Sequence, residues 1–160
     1  MAKCPATPLS IEYMEKNDCR VAIVERFIPK KPFPIKQDMF GLFDLVAVRI
    51  TGDQVYFIQT TSKANLSTRR ARMLAQPELL RSLLDANLRV DLHAWAKPKG
   101  SASYELICER AERLEDGSIR MTRIPVESMK ELRARARARR MQRDTASGQL
   151  AFGADAESLP

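Results

Sequence analysis

Residues 41–65, GLFDLVAVRITGDQVYFIQTTSKAN, constrain the fold more than any other stretch of the chain. Two apolar runs flank a Thr51-Gly52-Asp53 break, which is the pattern of a β-hairpin. Asp44 interrupts the first run, and Gln59-Thr60-Thr61-Ser62 ends the second. Paired residues in an antiparallel hairpin keep a constant index sum and share a face. With Thr51 and Gly52 as the loop, Asp44 lies opposite Gln59. With Gly52 and Asp53, it lies opposite Thr61. Either two-residue loop puts Asp44, Gln59 and Thr61 on one face. A three-residue loop pairs Asp44 with Thr60 and separates the group, because a slip of one residue turns every side chain over. A carboxylate facing amide and hydroxyl oxygens is a candidate metal site. Taken alone, Asp44 also reads as a strand-end carboxylate meeting a turn or an arginine.

The rest of the chain supplies a mixed α/β set of elements. Thr7-Pro8 starts a short helix running to about Asn17, with the proline in the first turn. Residues 20–27 read as a buried strand. Residues 29–37, PKKPFPIKQ, read as an exposed basic loop. Residues 66–86 are helical in pattern and divided by Pro77. Leu79, Leu80, Leu83 and Leu84 form its apolar stripe, and Asn87 ends it. Residues 89–96 alternate as a strand, with Val90, Leu92, Ala94 and Ala96 on one face and Asp91, His93 and Trp95 on the other. Residues 104–114 and 119–124 form a second hairpin, and 127–143 a helix. The order is α-β-β-β-α-β, then a hairpin and a helix. Domain organisation follows: residues 1–126 as the α/β domain, 127–144 as a basic helix, and 145–160 as a disordered tail.

The chain has 160 residues, enough for one core, and a net charge of +7. Residues 127–144 hold seven basic and three acidic side chains. Nucleic acid is the commonest partner of such a surface. Cys4, Cys19 and Cys108 are too far apart in sequence for zinc-ligand spacing and read as free thiols of a reducing compartment. No apolar run has the length of a membrane span. The expectation is a cytosolic protein with no membrane partner. A single histidine excludes a multi-histidine metal site. His93, between Asp91 and Trp95, reads as structural, and Trp95 as a packing residue.

The aspartate on the second strand and the polar triplet on the third resemble the PD-(D/E)XK nuclease superfamily. That group includes restriction endonucleases, Holliday junction resolvases and VRR-NUC domains. The matching segments are Asp38-Met-Phe-Gly-Leu-Phe-Asp44, Ile58-Gln-Thr-Thr61 and the helix with Arg69-Arg70. The wording is closest to that of small phage and bacterial members, and it covers roughly residues 8–100. The resemblance implies a restriction-endonuclease-like αβββαβ core, here with an added C-terminal β-hairpin and basic helix. It implies Mg²⁺-dependent hydrolysis of DNA, with Asp44, the Gln59 side-chain oxygen and the Thr60 carbonyl as metal ligands. Asp44 matches the first acidic position. Gln59 stands, uncharged, at the second. Thr61 stands at the lysine's position, leaving Lys63 or Lys36 to supply that charge. Asp38, and Glu12, Glu15 or Glu25, are candidates for a further carboxylate.

Lys36, Arg69 and Arg70 flank this site as candidate DNA contacts. Arg133, Arg137 and Arg140 belong to a cationic set that encircles the C-terminal helix, whose apolar positions are Met129, Leu132 and Met141. Gln149-Leu150-Ala151-Phe152 resembles, with one residue missing, the peptides that dock on bacterial sliding clamps. Two functions stand side by side: a Mg²⁺-dependent endonuclease, in a class where homodimers are common, and a catalytically silent DNA-binding module on the same fold.

Overall fold

The protein is described from a computed structural model, over residues 4–28 and 35–153. It divides into two units, Met1–Val126 and Glu127–Pro160.

The first unit is a six-stranded mixed sheet with helices on both faces. Helix α1 spans Ala6–Lys16. It is followed by β1 (Cys19–Ile23), a separate pair β2 (Arg26–Ile28) and β3 (Ile35–Gln37), then β4 (Leu45–Arg49) and β5 (Val55–Ser62). A single 3₁₀ turn, Lys63–Asn65, leads into α2 (Leu66–Leu74) and α3 (Pro77–Asp85). Strands β6 (Arg89–Ala96), β7 (Glu105–Arg113) and β8 (Ile119–Ile124) complete it. The sheet order is β1-β4-β5-β6-β7-β8, and β2 and β3 form their own two-stranded ribbon. Among the described strands only β5 and β6 run parallel, and they are joined by the α2–α3 crossover that a parallel pair requires.

Alternation along the strands sorts the core into two layers. Leu45, Ala47, Tyr56 and Ile58 pack with Met14 of α1 on one face. Phe57, Val90 and Leu92 pack with Met73, Leu80 and Leu83 of α2 and α3 on the other. Ser10 of α1 is fully buried and accepts a hydrogen bond from Trp95 Nε1 at 2.9 Å. Asn87, at φ 57°, closes α3: its N–H reaches the Leu84 carbonyl and the Leu88 N–H reaches that of Leu83. That is the paired bonding of a left-handed cap, a conformation asparagine tolerates.

Three expectations about elements need correction. The strand expected over 20–27 is broken, because its partner β4 begins only at Leu45. Ile23–Leu45 is the last pair of the ladder, and Val24 N–H bonds the Asp44 carbonyl as the chain leaves the sheet. The expected loop 29–37 ends in strand β3, which pairs with residues 26–28. The C-terminal helix, α4, spans Met129–Gly153 and so takes in residues 145–153 of the expected disordered tail. Residues 154–160 lie outside the described residues.

Helix α4 starts on a capping box. Ser128 N–H and Oγ both donate to Glu131 Oε2, at 2.9 and 2.7 Å, and Glu131 N–H donates to Ser128 Oγ at 3.3 Å. No described helix is long and apolar enough to cross a membrane. All three cysteines are free.

Candidate functional site

The β4–β5 register settles the hairpin geometry. Leu45 pairs with Ile58 and Val48 with Val55, and Arg49 N–H bonds the Gln54 carbonyl. The loop therefore holds four residues, 50–53, rather than two. Being even, it brings the Asp44 and Gln59 side chains together just past the last ladder pair, Leu45–Ile58, where Asp44 N–H bonds the Ile58 carbonyl at 3.0 Å.

Asp44 sits just before β4 begins, at the end of the sheet. Its Oδ2 accepts three hydrogen bonds: from Gln59 Nε2 at 2.6 Å, from Thr60 N–H at 2.7 Å and from Thr60 Oγ1 at 2.8 Å. Thr60 spends its one hydroxyl proton there, so the 2.9 Å contact between Thr7 Oγ1 and Thr60 Oγ1 has Thr7 as the donor. Gln59 Nε2 also donates to the Thr60 carbonyl at 3.2 Å. The three expected ligand residues, Asp44, Gln59 and Thr60, are thus mutually bonded and all buried. Burial raises the Asp44 carboxyl above its ordinary value; the Thr60 donors oppose that, and the nearby charges of Asp38 and Glu25 add to it. Gln59 Oε1 is buried and has no hydrogen-bond partner.

These residues line a cleft of about 400 Å³ together with Glu25, Asp38, Thr61, Asn65 and Arg69, and with Ala6, Thr7 and Pro8 of the first turn of α1. Asp38 reaches it through a tight turn. Met39 bridges Phe43, Gly41 N–H bonds the Asp38 carbonyl, and Phe40 and Gly41 take positive φ. This turn folds the Asp38–Asp44 segment back on itself, so both aspartates face one space. Arg72 ties the turn to α2 by donating to the Gly41 carbonyl at 2.6 Å.

Other expected site residues lie elsewhere. Lys63 opens the 3₁₀ turn directly after β5 and lines a different cleft, with Trp95, Lys97, Lys99, Tyr104 and Arg123. The two clefts share Cys4 and Ser62 on their walls. Arg70 is committed to Glu109 on β7, donating from Nε at 2.7 Å, and so pins α2 to the sheet. Arg69 remains the one cation on the wall of the Asp44 cleft among the described residues. Glu12 pairs with Lys16 on α1, away from the cleft wall, and Glu15 does not line it. Arg133, Arg137 and Arg140 lie on α4. The side chains of Lys36 and of Gln149–Phe152 lie outside the described residues.

Sequence reasoning passed over Thr7 and Asn65, which carry no motif. It set Asp91 and His93 on one strand face but missed that Arg110 and Cys108 complete a second polar group on the α1 face. Asp91 and His93 of β6 stand opposite Arg110 and Cys108 of β7. Arg110 grips Asp91 through Nε at 2.7 Å and through a second guanidinium nitrogen at 2.8 Å. The even spacing of the β6–β7 connection was the available signal, by the same index-sum argument that placed Asp44 against Gln59. Tyr13 of α1 meets the His93 ring edge-on, with centroids 5.7 Å apart. Trp95 is 1 % exposed and packs as expected.

Compared with protein-family models, with curated proteins and with solved structures, the chain has no match.

Proposed function

We propose that this protein binds DNA and hydrolyses its phosphodiester bonds with the help of Mg²⁺ at the Asp44 cleft. The observation that carries this reading is the convergence of the Glu25, Asp38 and Asp44 carboxylates with the Gln59 amide in one cleft at the end of the sheet. The order α1, β1, β4, β5, α2–α3, β6 supports a restriction-endonuclease-like core with the β2–β3 ribbon as an insertion. In this arrangement the aspartate precedes the second core strand, and the polar triplet ends the third.

The donors fit the ion. Mg²⁺ takes oxygen ligands, with one or two carboxylates and the rest waters and substrate oxygens. The Glu25, Asp38 and Asp44 carboxylates supply oxygens of that kind, and Gln59 Oε1 is an unpartnered buried acceptor on the same wall, although Gln59 Nε2 already donates to Asp44 Oδ2. Asp44 and Gln59 would hold the ion, with the Thr60 carbonyl and Asp38 at hand. When bound, Mg²⁺ polarises the phosphate and lowers the pKa of the attacking water.

The chain's own contributions are binding and positioning. Arg69 neutralises phosphate charge at the cleft wall, in place of the lysine that Thr61 replaces. The first turn of α1, Ala6–Pro8, lines the cleft, and the N-terminal end of a helix favours an anion. The adjoining cleft continues the surface with four cations, Lys63, Lys97, Lys99 and Arg123. A nucleic-acid strand with one phosphate at Asp44 would find the next positive charges there.

A silent DNA-binding module is the second reading, favoured by one observation: the Gln59 amide N–H₂ already bridges Asp44 Oδ2 and the Thr60 carbonyl. The test is incubation with Mg²⁺ or Mn²⁺ and supercoiled, linear or branched DNA. The expected result is cleavage that Asp44→Ala abolishes. No cleavage by the wild type, with cleavage gained in a Gln59→Glu/Thr61→Lys double variant, assigns the silent role. Cleavage by neither protein, or cleavage that survives Asp44→Ala, removes the Asp44 cleft as a hydrolytic site.

A further inference from the structure

A separate cleft of about 270 Å³ lies against the α1 face of the sheet, where Tyr13, Tyr56, Asp91, His93, Cys108 and Arg110 line it. None of these residues belongs to the Asp44 site. The β6–β7 register sets His93 against Cys108 and Asp91 against Arg110. Strand alternation sends Asp91 and His93 to one face, and their cross-strand partners follow. Asp91, His93 and Cys108 are 2 %, 1 % and 2 % exposed. A carboxylate oxygen, an imidazole nitrogen and the thiol sulfur from these three residues all lie within 4.8 Å of one another.

A second observation points to a missing partner. His93 Nδ1 is buried and makes no hydrogen bond. Buried polar atoms in proteins are satisfied in the great majority, so an orphaned ring nitrogen calls for a ligand.

We propose that Asp91, His93 and Cys108 bind a Zn²⁺ ion. Mixed sulfur, nitrogen and oxygen donors select zinc over magnesium, which prefers oxygen alone. Three protein ligands leave a fourth position for a small molecule or water from the cleft, as in zinc sites that exchange ligands. Arg110 does not close the site. An oxygen of Asp91 that accepts from the guanidinium keeps a second lone pair, and Arg110 then holds the carboxylate in orientation. Its positive charge works against the ion, so affinity falls below that of a four-ligand structural site.

Full-length protein titrated with Co²⁺, a spectroscopic stand-in for Zn²⁺, tests this. One equivalent is expected to raise a thiolate-to-cobalt charge-transfer band together with intense tetrahedral ligand-field bands. Zn²⁺ should then displace the cobalt. The band should persist in Cys4→Ser/Cys19→Ala, which leaves Cys108 as the only thiol, and in Asp44→Ala, which separates this site from the other cleft. It should vanish in Cys108→Ser, and His93→Gln should weaken binding by at least about tenfold. Absence of the band in the wild type, its loss in Cys4→Ser/Cys19→Ala, or its survival in Cys108→Ser overturns the proposal. The first two of these results need no change at Cys108, so they decide the matter even if Cys108→Ser fails to fold.

Discussion

Gln59 Nε2 lies 2.6 Å from Asp44 Oδ2 and 3.2 Å from the Thr60 carbonyl, so an amide group bridges the two oxygens assigned to the ion in the proposed function. Replacing it by a carboxylate tests that assignment. Gln59→Glu places two carboxylates in contact in a buried site, and one must stay protonated or find a counter-ion. We expect a loss of about 2 kcal/mol in urea unfolding without metal, recovered on adding Mg²⁺; wild-type stability should respond less to the ion. An unchanged stability in both conditions would remove Gln59 from the ion's neighbourhood. Asp44 itself has a signed pH dependence. Burial raises its carboxyl above the ordinary 3.8, so the folded chain holds that proton more tightly than the unfolded one. Its contribution is fully present below the unfolded-state pKa and is lost as pH rises through the folded value. Asp44→Asn should therefore be more stable than wild type at about pH 7, and the gain should disappear by about pH 3, as read by chemical unfolding at both. At this scale the sequence was legible where geometry is rigid. The constant index sum of a hairpin survived a loop of four residues in place of two, so Asp44 met Gln59. Lys63 was not legible in the same way. A 3₁₀ turn begins at that residue, and the chain's change of direction carries the side chain to the neighbouring cleft.

Helix α1 is fixed to the sheet partly by one buried polar contact, Trp95 Nε1 donating to Ser10 Oγ, with the two residues 1 % and 0 % exposed. Ser10→Ala leaves the indole N–H without a partner in a space that water does not reach. The expected cost is about 1–3 kcal/mol, seen as a lower unfolding midpoint when Trp95 fluorescence is followed. Ser10→Thr, which keeps the hydroxyl, should recover part of it; an Ser10→Ala protein as stable as wild type would mean that the indole finds another acceptor. The elements that were read well from sequence are those whose signals are local. Strand β6 alternates in polarity from Arg89 to Ala94, Pro77 separates α2 from α3, and Asn87 supplies the left-handed cap of α3. The elements that were misread depend on a distant partner. Residues 20–27 look like one strand, yet the ladder stops where β4 stops, and the following residues pair with 35–37 instead. Nothing in the composition of the Pro- and Lys-rich stretch marks its last three residues as a strand.

The whole chain carries a net charge of +7, but that charge is divided between two kinds of surface. On the first unit Lys63, Lys97, Lys99 and Arg123 line one cleft, beside Glu105, with Arg69 at the Asp44 wall. On the second the charge lies along α4, where the exposed Arg137 and Arg140 follow Arg133. A duplex neutralised by cations releases its condensed counterions, so the slope of log affinity against log salt counts phosphate contacts, at about 0.9 per contact. This makes the two surfaces separable in the intact protein. Arg133→Ala/Arg137→Ala/Arg140→Ala should reduce the slope for duplex DNA by up to about 2.7 if all three touch phosphate. The loss of affinity should be similar for unrelated sequences, because phosphate contacts carry no base information. Lys97→Ala/Lys99→Ala/Arg123→Ala should reduce the slope independently, and the two reductions should add, since the sets share no residue. Fluorescence anisotropy over a range of salt concentrations measures both. A slope unchanged by the α4 triple variant would confine DNA contact to the clefts of the first unit, and the charge on α4 would then need a different partner. A slope unchanged by the cleft variant would sever the basic cleft from the path of the strand.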